Sequence, residues 1–250
     1  MNEDENMRIF MEIHQDNPQE GPGDFASTRR AFSLLKGLPP LPRILDAGCG
    51  PGRQTLDLCR LTKGNIVAVD FHKQYVDALL RKSKARGLAD QVTALLGDMA
   101  NLQFQPQTFD VIWSEGAVYN IGFKAGLTMW KPLLKKGGYV AVTEIAWLGS
   151  DVPDELRAFW NSAYPQIQDI EGNIADLQAA GYQQVAHFTL AESAWWDYYR
   201  PIEKRVQQMT EKYKNNSSAM EVIETEIREI DLYRKYSDYY GYVFFIGEAL

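Results

Sequence analysis

Short apolar runs alternate with helical patterns through the middle of the chain. Runs rich in β-branched and other apolar residues predict β-strands at 43–48, 65–70, 91–98, 109–116 and 137–147. The segments between them carry apolar residues at three- and four-residue spacing, typical of amphipathic helices, at 53–61, 74–87 and 123–137. Gly87 and Gly137 stand where helix C-terminal caps are expected. This alternation of strands and helices predicts a parallel sheet with right-handed crossovers.

Three helix-prone segments fall outside this alternation, at 1–35, 148–170 and 193–237. Two further strands, at 182–190 and 239–249, are expected to complete the sheet. We interpret the chain as one domain, 1–250, with a core of residues 36–148, 171–192 and 238–250 and a helical cap of residues 1–35, 149–170 and 193–237. The apolar stripes of the last cap segment indicate packing faces, which could meet the sheet or a second copy of the chain in a homodimer.

The composition is that of a globular protein with an acidic balance. The chain has 250 residues, of which 45% are hydrophobic and 24% charged, and a net charge of -7. This charge argues against nucleic acid as the main partner, because phosphate neutralisation needs a basic surface. The acidic N-terminus does not resemble a signal peptide, and no run approaches the roughly 20 apolar residues of a membrane helix. Cys49 and Cys59 form no metal or disulfide pattern, so we expect a cytoplasmic protein without a membrane partner.

The first predicted strand runs into a glycine-rich turn, in the sequence RILDAGCGPGRQTL at 43–56. A phosphate-binding P-loop needs a lysine after its last glycine, and the turn has none at that spacing. A dinucleotide fingerprint would need a third glycine where Arg53 stands. The turn reads instead as Asp46, Gly48, Gly50 and Gly52 at alternate positions. Glycines in such a turn let the backbone approach a ligand closely and adopt φ angles that other residues avoid.

This turn resembles the first motif of the class I S-adenosylmethionine-dependent methyltransferases, and four later regions match the same family in order. Asp70 ends the second predicted strand, and Asp98 and Met99 follow the third. The stretches FDVIWSEGAVYNIGF and LKKGGYVAVTE match the regions of the fourth and fifth strands. Together the matches cover residues 43–147. The WSEGAVYNIGF stretch further resembles the branch of bacterial enzymes that act on small molecules.

The resemblance implies a fold, a cofactor and a reaction. The fold is an α/β, Rossmann-like, doubly wound sheet of seven strands, the last antiparallel, with helices on both faces and a helical cap. The cofactor is S-adenosyl-L-methionine, whose methyl group passes by in-line displacement to a small-molecule acceptor. A general base is optional, because an amine that arrives neutral needs none, whereas a hydroxyl usually does. No metal is required, and His14, His72 and His187 show no metal-ligand spacing.

The resemblance also assigns roles to individual residues. Asp46 would lie near the methionine ammonium, and Asp70 would bind both ribose hydroxyls. Asp98 would accept a hydrogen bond from the adenine amino group, while Met99 helps to bury the ring. The remaining cofactor contacts are expected from Gly48, Gly50, Gly52, Gln54, Thr55, Phe71 and Ser114. His72 is expected to flank the adenosine pocket.

Acceptor chemistry is expected after the fourth strand. Glu115 is the candidate catalytic carboxylate, with Tyr119 and Asn120 on the same loop. Glu115 could instead hold the methionine end of the cofactor or cap a helix. Glu144, inside the fifth strand, could reach the pocket floor or pair with a buried cation. An arginine of the pair at 29–30 could reach the cofactor carboxylate. Aromatic residues of the interrupting segments would suit a flat or cationic acceptor, namely Trp147, Trp160, Tyr164, Trp195, Trp196, Tyr198 and Tyr199.

Two other functions remain open from the sequence. An NAD-dependent Rossmann oxidoreductase shares the sheet and the ribose carboxylate, but it requires a glycine at position 53. A non-catalytic binding module would keep the cofactor pocket and lack an acceptor site. Methylation of nucleic-acid bases is disfavoured by the net charge and by the residues at 114–117, which read Ser-Glu-Gly-Ala where such enzymes have Asn/Asp-Pro-Pro-Tyr/Phe.

Overall fold

Residues 3–250 are described by a computed structural model, with side chains from residue 5 onward. The strands are β1 Arg43–Ala47, β2 Asn65–Asp70, β3 Val92–Leu96, β4 Phe109–Ser114, β5 Leu134–Trp147, β6 Gln168–Asp169, β7 Tyr182–Thr189 and β8 Tyr240–Ala249. Across residues 3–250 they form one eight-stranded sheet in the order β3-β2-β1-β4-β5-β8-β7, with β6 paired to β5 off this path. Neighbours among β1 to β5 run parallel, and β8 runs antiparallel to both β5 and β7. The predicted Rossmann-like fold with an antiparallel last strand is confirmed.

Some of the helices begin at a residue whose side chain caps the first turn. They are α1 Glu3–Ile13, α2 Phe25–Ser33, α3 Arg53–Leu61, α4 Lys73–Ala85, α5 Phe123–Trp130, α6 Asp154–Ala163, α7 Ile170–Ala179, α8 Glu192–Tyr213 and α9 Ser217–Tyr236. At the start of α2, the Asp24 carboxylate accepts a hydrogen bond of 2.7 Å from the backbone N–H of Ser27. Asn216 caps α9 in the same way, through Ala219. Such caps stabilise a helix by about 1 kcal/mol each.

Successive strand residues point to opposite faces, so the sheet carries two apolar cores. Leu45 and Val67 face one core, which is closed by α5 and α7. Ile44 and Ile66 face the other core, which is closed by α2, α3, α4 and the helices α8 and α9. Because both faces are covered, the central parallel strands are largely apolar, and β4 is buried at all six positions.

Two expectations around the fifth strand are wrong. The helix predicted over 123–137 ends at Trp130, and a short 3₁₀ turn over Lys131–Leu133 follows it. Pro132 lies in that turn. The helix does not continue through it, because proline lacks the N–H that a continuing helix would use. Gly137 is therefore not a helix cap. It lies inside β5 with φ 72°, beside the irregular register between β4 and β5. Gly87, with φ 69° just after α4, does stand at a helix end.

The predicted cap segments do not all pack together. Helices α1, α8 and α9 contact one another, whereas α2 packs against α3 of the core. The division of the chain into core and cap remains a prediction. No helix within residues 3–250 has the length and apolar character that crossing a bilayer requires.

Candidate active site

The glycine turn is fixed against the end of β2. The backbone N–H groups of Gly48 and Cys49 both donate to the carbonyl oxygen of Val69, at 2.9 and 3.0 Å. Gly48 has φ 76°, and a Cβ there would lie 2.4 Å from the Cβ of Ala117. Only glycine fits such a close approach between the turn and the loop after β4.

Asp70, the last residue of β2, holds the same turn through its side chain. Its Oδ2 accepts a hydrogen bond of 2.8 Å from the N–H of Gly50, and its Oδ1 accepts one of 2.8 Å from the N–H of His72. The Asp70 side chain is only 10% exposed and lies against a cavity. Two backbone donors hold the carboxylate in one orientation. Its Oδ1 also lies 3.3 Å from Nδ1 of His72, whereas Oδ2 has no second partner among the described residues and keeps a lone pair for a further donor.

The cavity encloses about 800 Å³ and lies at the carboxyl ends of β1, β2 and β4. The strand order reverses between β1 and β4, and open α/β sheets bind ligands at such a point. Its part nearest the glycine turn, which we call the turn side, is lined by residues expected from the sequence. They are Gly48, Gly50, Gln54, Asp70, Phe71, Asp98 and Met99. His72 also lines this side, as expected.

Glu115, the residue after β4, lines the cavity and lies buried against Thr28 of α2. Its Oε1 accepts hydrogen bonds from Thr28 Oγ1 at 2.9 Å and from Trp113 Nε1 at 2.7 Å. Its Oε2 has no hydrogen-bond partner among the described residues. A Cβ on Gly23 would lie 3.1 Å from this oxygen and 3.2 Å from Gln54 Nε2. Burial raises the pKa of Glu115 to about 8.

The other part of the cavity, which we call the cap chamber, lies beneath α1, α6, α8 and α9. Tyr119 and Asn120 line it from the loop after β4. The Tyr119 ring meets that of Tyr164 edge-on, with centroids 6.1 Å apart. Four of the aromatic residues expected from the sequence also line the cavity, namely Trp160, Tyr164, Trp195 and Tyr198. Trp147, Trp196 and Tyr199 do not.

The acidic residues of the cap chamber are not predicted from the sequence. Glu20, Glu226 and Glu229 line the cavity, and His14 lies buried behind them. A signal was present in α9, because Glu226 falls on the same helical face as the buried Ile223 and Ile230. A charged residue within an apolar stripe departs from simple packing.

Four residues expected to contact a cofactor do not line the cavity. Asp46 is 1% exposed, and its Oδ2 accepts a hydrogen bond of 2.5 Å from Thr55 Oγ1. Ser114 donates to the carbonyl oxygen of Ala47 at 2.8 Å. Gly52 starts α3 with φ 92°, with Leu79 packed where its Cβ would be. These side chains support the turn from behind, since their polar groups are satisfied within the protein.

Two further expectations, for the arginine pair at 29–30 and for Glu144, are corrected by the structure. Arg29 and Arg30 are exposed and lie over the rings of Phe25 and Phe188, so neither reaches the cavity. Glu144 is 1% exposed and pairs with no cation, and its Oε2 has no hydrogen-bond partner within residues 3–250. Burial raises the pKa of Glu144 to about 8, so it is held as the neutral acid.

Metal ligation finds no support in the described part of the chain. No group of three or more His, Cys, Asp or Glu residues within residues 3–250 is arranged to hold a metal ion.

Comparison with known proteins identifies the domain. Residues 44–138 match the model of a family described as "Methyltransferase domain". A sterol 24-C-methyltransferase from Yarrowia lipolytica is 31% identical over 120 residues, which cover 48% of this chain and 31% of that protein. The matched segments span less than half the length of the sterol methyltransferases found.

Two solved structures share the fold almost throughout. They are SAM-dependent methyltransferases from Thiobacillus denitrificans and Geobacter sulfurreducens, each in complex with S-adenosyl-L-homocysteine. Their TM-scores are 0.83 and 0.82 at 20% and 19% identity, with 97% of this chain and 98% of each of theirs covered. Residues 44–138 therefore form a methyltransferase domain, and the chain has the fold of the class I S-adenosylmethionine-dependent methyltransferases, as its motifs predict.

Proposed function

We propose that this protein is an S-adenosylmethionine-dependent methyltransferase that methylates a small-molecule acceptor. One observation carries the proposal: the glycine turn is tied to Asp70 at the end of β2, and both face a single cavity at the point where the strand order reverses. Carboxylates at this position of a Rossmann-like sheet bind the hydroxyls of a ribose.

The residues of the turn side fit an adenosine. Asp70 lines the cavity, and its Oδ2 keeps a lone pair free for a sugar hydroxyl. Phe71, which is 73% exposed, and Met99 both line the cavity, so a flat ring that packs on them would cover apolar surface. Asp98, at the end of β3, would accept from an exocyclic amino group. When bound, S-adenosylmethionine would supply a methyl group on a positively charged sulfur, which a nucleophile can take directly.

Glu115 fits the ammonium of the methionine part better than it fits a general base. Its unpartnered Oε2 is buried beside Gln54, and Thr28 and Trp113 hold the side chain in place. A buried carboxyl group with a raised pKa gains a proton or a cationic partner. Of the alternatives open from the sequence, we therefore propose that Glu115 binds the cofactor and that Tyr119 and Asn120 contact the acceptor.

A small acceptor is proposed because helices cover the cap chamber. Ligand cavities for small molecules commonly enclose about 300–1,000 Å³, the range into which this one falls. Its walls would hold the acceptor next to the turn side and exclude water, which favours in-line attack through orientation. The sterol methyltransferase relative is named for a small-molecule acceptor, which agrees with this size class.

Cofactor titration tests the proposal. Isothermal titration of the full chain should detect S-adenosylmethionine and S-adenosylhomocysteine and no NAD. Asp70→Ala should weaken S-adenosylhomocysteine binding by roughly tenfold to a hundredfold, since a hydrogen bond to a charged group contributes about 1.5–3 kcal/mol. Asp70→Asn, which keeps one acceptor oxygen, should lose less.

Asp90→Ala is the matched control, because Asp90 is exposed at the opposite end of β3 and carries the same charge. It should bind as the unaltered protein does. Asp70 also holds the turn, so melting temperatures are compared for every variant. Wild-type affinity in Asp70→Ala would remove Asp70 from the site. Binding of NAD in place of S-adenosylhomocysteine would replace the methyltransferase by an oxidoreductase.

A further inference from the structure

The walls of the cap chamber are aromatic and acidic at once. Trp195 and Tyr198 of α8 and Tyr119 of the loop after β4 line it, together with Glu226 and Glu229 of α9. Residues three apart on a helix lie on one face, so both glutamates face the chamber. Negative charge beside aromatic faces is the usual surround for an organic cation, because ring faces also attract positive charge.

The carboxylates are only partly compensated by the protein. Glu20 Oε2 lies 2.7 Å from His14 Nδ1, and Glu226 Oε2 lies 3.7 Å from His14 Nε2. His14 is therefore one cation shared by two acids. Glu20 Oε1 is buried without a hydrogen-bond partner among the described residues, and His14 Nε2 also makes no hydrogen bond there. Among the described residues, the only hydrogen bond to Glu229 comes from the hydroxyl of Tyr199, which donates to its Oε1 at 2.8 Å.

Titration directions agree with this imbalance. Burial opposes protonation of His14, but Glu20 and Glu226 outweigh it and raise its pKa to about 9, so it is charged at neutral pH. Burial first, and then the charge of Glu226, raise the pKa of Glu229. One His14 cation can neutralise only one of these carboxylates, so the chamber keeps carboxyl groups without a cationic partner among the described residues.

Basic side chains are missing from the cavity walls. Among residues 5–250, none that lines the cavity is Lys or Arg, whereas six are Asp or Glu. Arg and Lys are the side chains that bind a phosphate or carboxylate most strongly. An anionic acceptor would face these carboxylates with no such side chain among the described residues of the cavity wall, and a neutral one would leave the acidic groups without a cationic partner.

We infer that the acceptor is an organic cation, a molecule with a basic nitrogen that is protonated at neutral pH, held by Glu226 and Glu229 between the aromatic walls of the cap chamber. This inference rests on the proposed function, because it names the acceptor class of that same cavity.

A charge series of equal-sized probes tests the inference. The probes are 2-phenylethylamine, 2-phenylethanol and 3-phenylpropanoate, which are cationic, neutral and anionic at pH 7. Each is titrated into the full chain with and without saturating S-adenosylhomocysteine. The amine should bind at least tenfold more tightly than the alcohol, and the acid should not bind. In Glu226→Gln/Glu229→Gln the preference for the amine should fall below about threefold.

Glu221→Gln/Glu224→Gln is the matched control, because it removes the same charge from the exposed side of α9. It should keep the tenfold preference. Circular dichroism and melting temperature establish folding, and the single variants Glu226→Gln and Glu229→Gln replace the double variant if it does not fold.

Equal or tighter binding of the alcohol or the acid, no binding of any probe, or a preference that survives in Glu226→Gln/Glu229→Gln would each overturn the inference. The S-adenosylhomocysteine titration separates the two proposals. If S-adenosylhomocysteine binds and the amine preference is absent, only the acceptor class is wrong. If S-adenosylhomocysteine does not bind, the proposed function fails, and the probes without it still report whether the chamber selects cations.

Discussion

Three carboxyl groups lie deep in the protein, each in a different setting. Asp46 donates nothing and accepts from Thr55, Glu115 accepts from two side chains, and Glu144 lies beneath Tyr164. Burial raises the pKa of Asp46 to about 7 and those of Glu115 and Glu144 to about 8. The folded chain therefore holds protons that the unfolded chain has already released, and its stability falls as the pH rises from about 4.5 to 8.

Glu144→Gln should remove part of this pH dependence. At pH 4 the glutamic acid is largely neutral in both the folded and the unfolded chain, as glutamine is, so the two proteins should have similar stability. At pH 8.5 only the glutamate favours the unfolded state, where it ionises freely. The variant should then be more stable by at least about 1 kcal/mol, or roughly 2–4 °C in melting temperature.

Urea unfolding at both pH values measures the difference, with Glu224→Gln, on the exposed side of α9, as the control that should change at neither pH. A stability of Glu144→Gln that changes with pH as steeply as that of the wild type would contradict the role of Glu144.

Of the two aspartates that the sequence predicts at the cavity, Asp70 lines it and Asp46 does not, and the reason is local. Both follow apolar strand residues and belong to the same family motif. Asp70 is the last residue of β2 and faces the turn, whereas Asp46 precedes the end of β1 and points to Thr55 of α3. Which way a carboxylate turns depends on a hydrogen bond nine residues away, and no spacing rule predicts it.

At the level of elements, two glycines with a left-handed backbone conformation differ in what surrounds them. Gly52 starts α3 with φ 92° and Gly87 follows α4 with φ 69°. A Cβ at Gly52 would lie 2.4 Å from the side chain of Leu79 in α4, whereas nothing lies within 4 Å of one at Gly87. The first glycine thus allows two helices to approach, while the second only turns the chain.

Gly87→Ala should therefore cost about 1–2 kcal/mol of stability, the strain of a left-handed residue with a side chain. Gly52→Ala should cost more than that, since Leu79 must also move. Midpoints of urea unfolding compare the two variants in one experiment. Equal losses would show that Leu79 yields without strain and that only the backbone angle matters.

Strands were the most predictable elements, because their apolar runs end at turns. The predicted strand over 65–70 coincides with β2, and β5 begins three residues earlier than expected. The sequence predicts the helix before β5 too long, because its apolar periodicity continues through Pro132. The sequence also predicts the apolar stripe of α9, but the position of Glu226 and Glu229 at a cavity follows only from the structure, where α1 and α8 pack around them.

At the scale of the whole molecule, the cavity joins distant parts of the chain. Met7, Phe10 and Met11 of α1 line it together with residues of α8 and α9, and these helices pack on one another. The turn side is built from strand ends. An occupant of the cavity therefore contacts both the rigid sheet and the covering helices.

S-adenosylhomocysteine should slow amide hydrogen exchange in α1 and in the turn over residues 48–52. A ligand that binds only the folded state stabilises it, by about 2.7 kcal/mol at a hundredfold excess over Kd, and the contacted segments are held most. Helix α7, which packs on the opposite face of the sheet, is the internal reference for local protection. Unchanged exchange in α1 at saturation would mean that α1 does not cover the ligand.

The cap chamber is lined by helices that lie outside the sheet, whereas the residues that fit an adenosine lie at or just beyond the ends of the strands. On the proposed function, mutations on α8 or α9 should thus change which acceptor binds while leaving binding of the methyl donor intact. In evolution or by engineering, donor and acceptor preference can diverge separately within one chain.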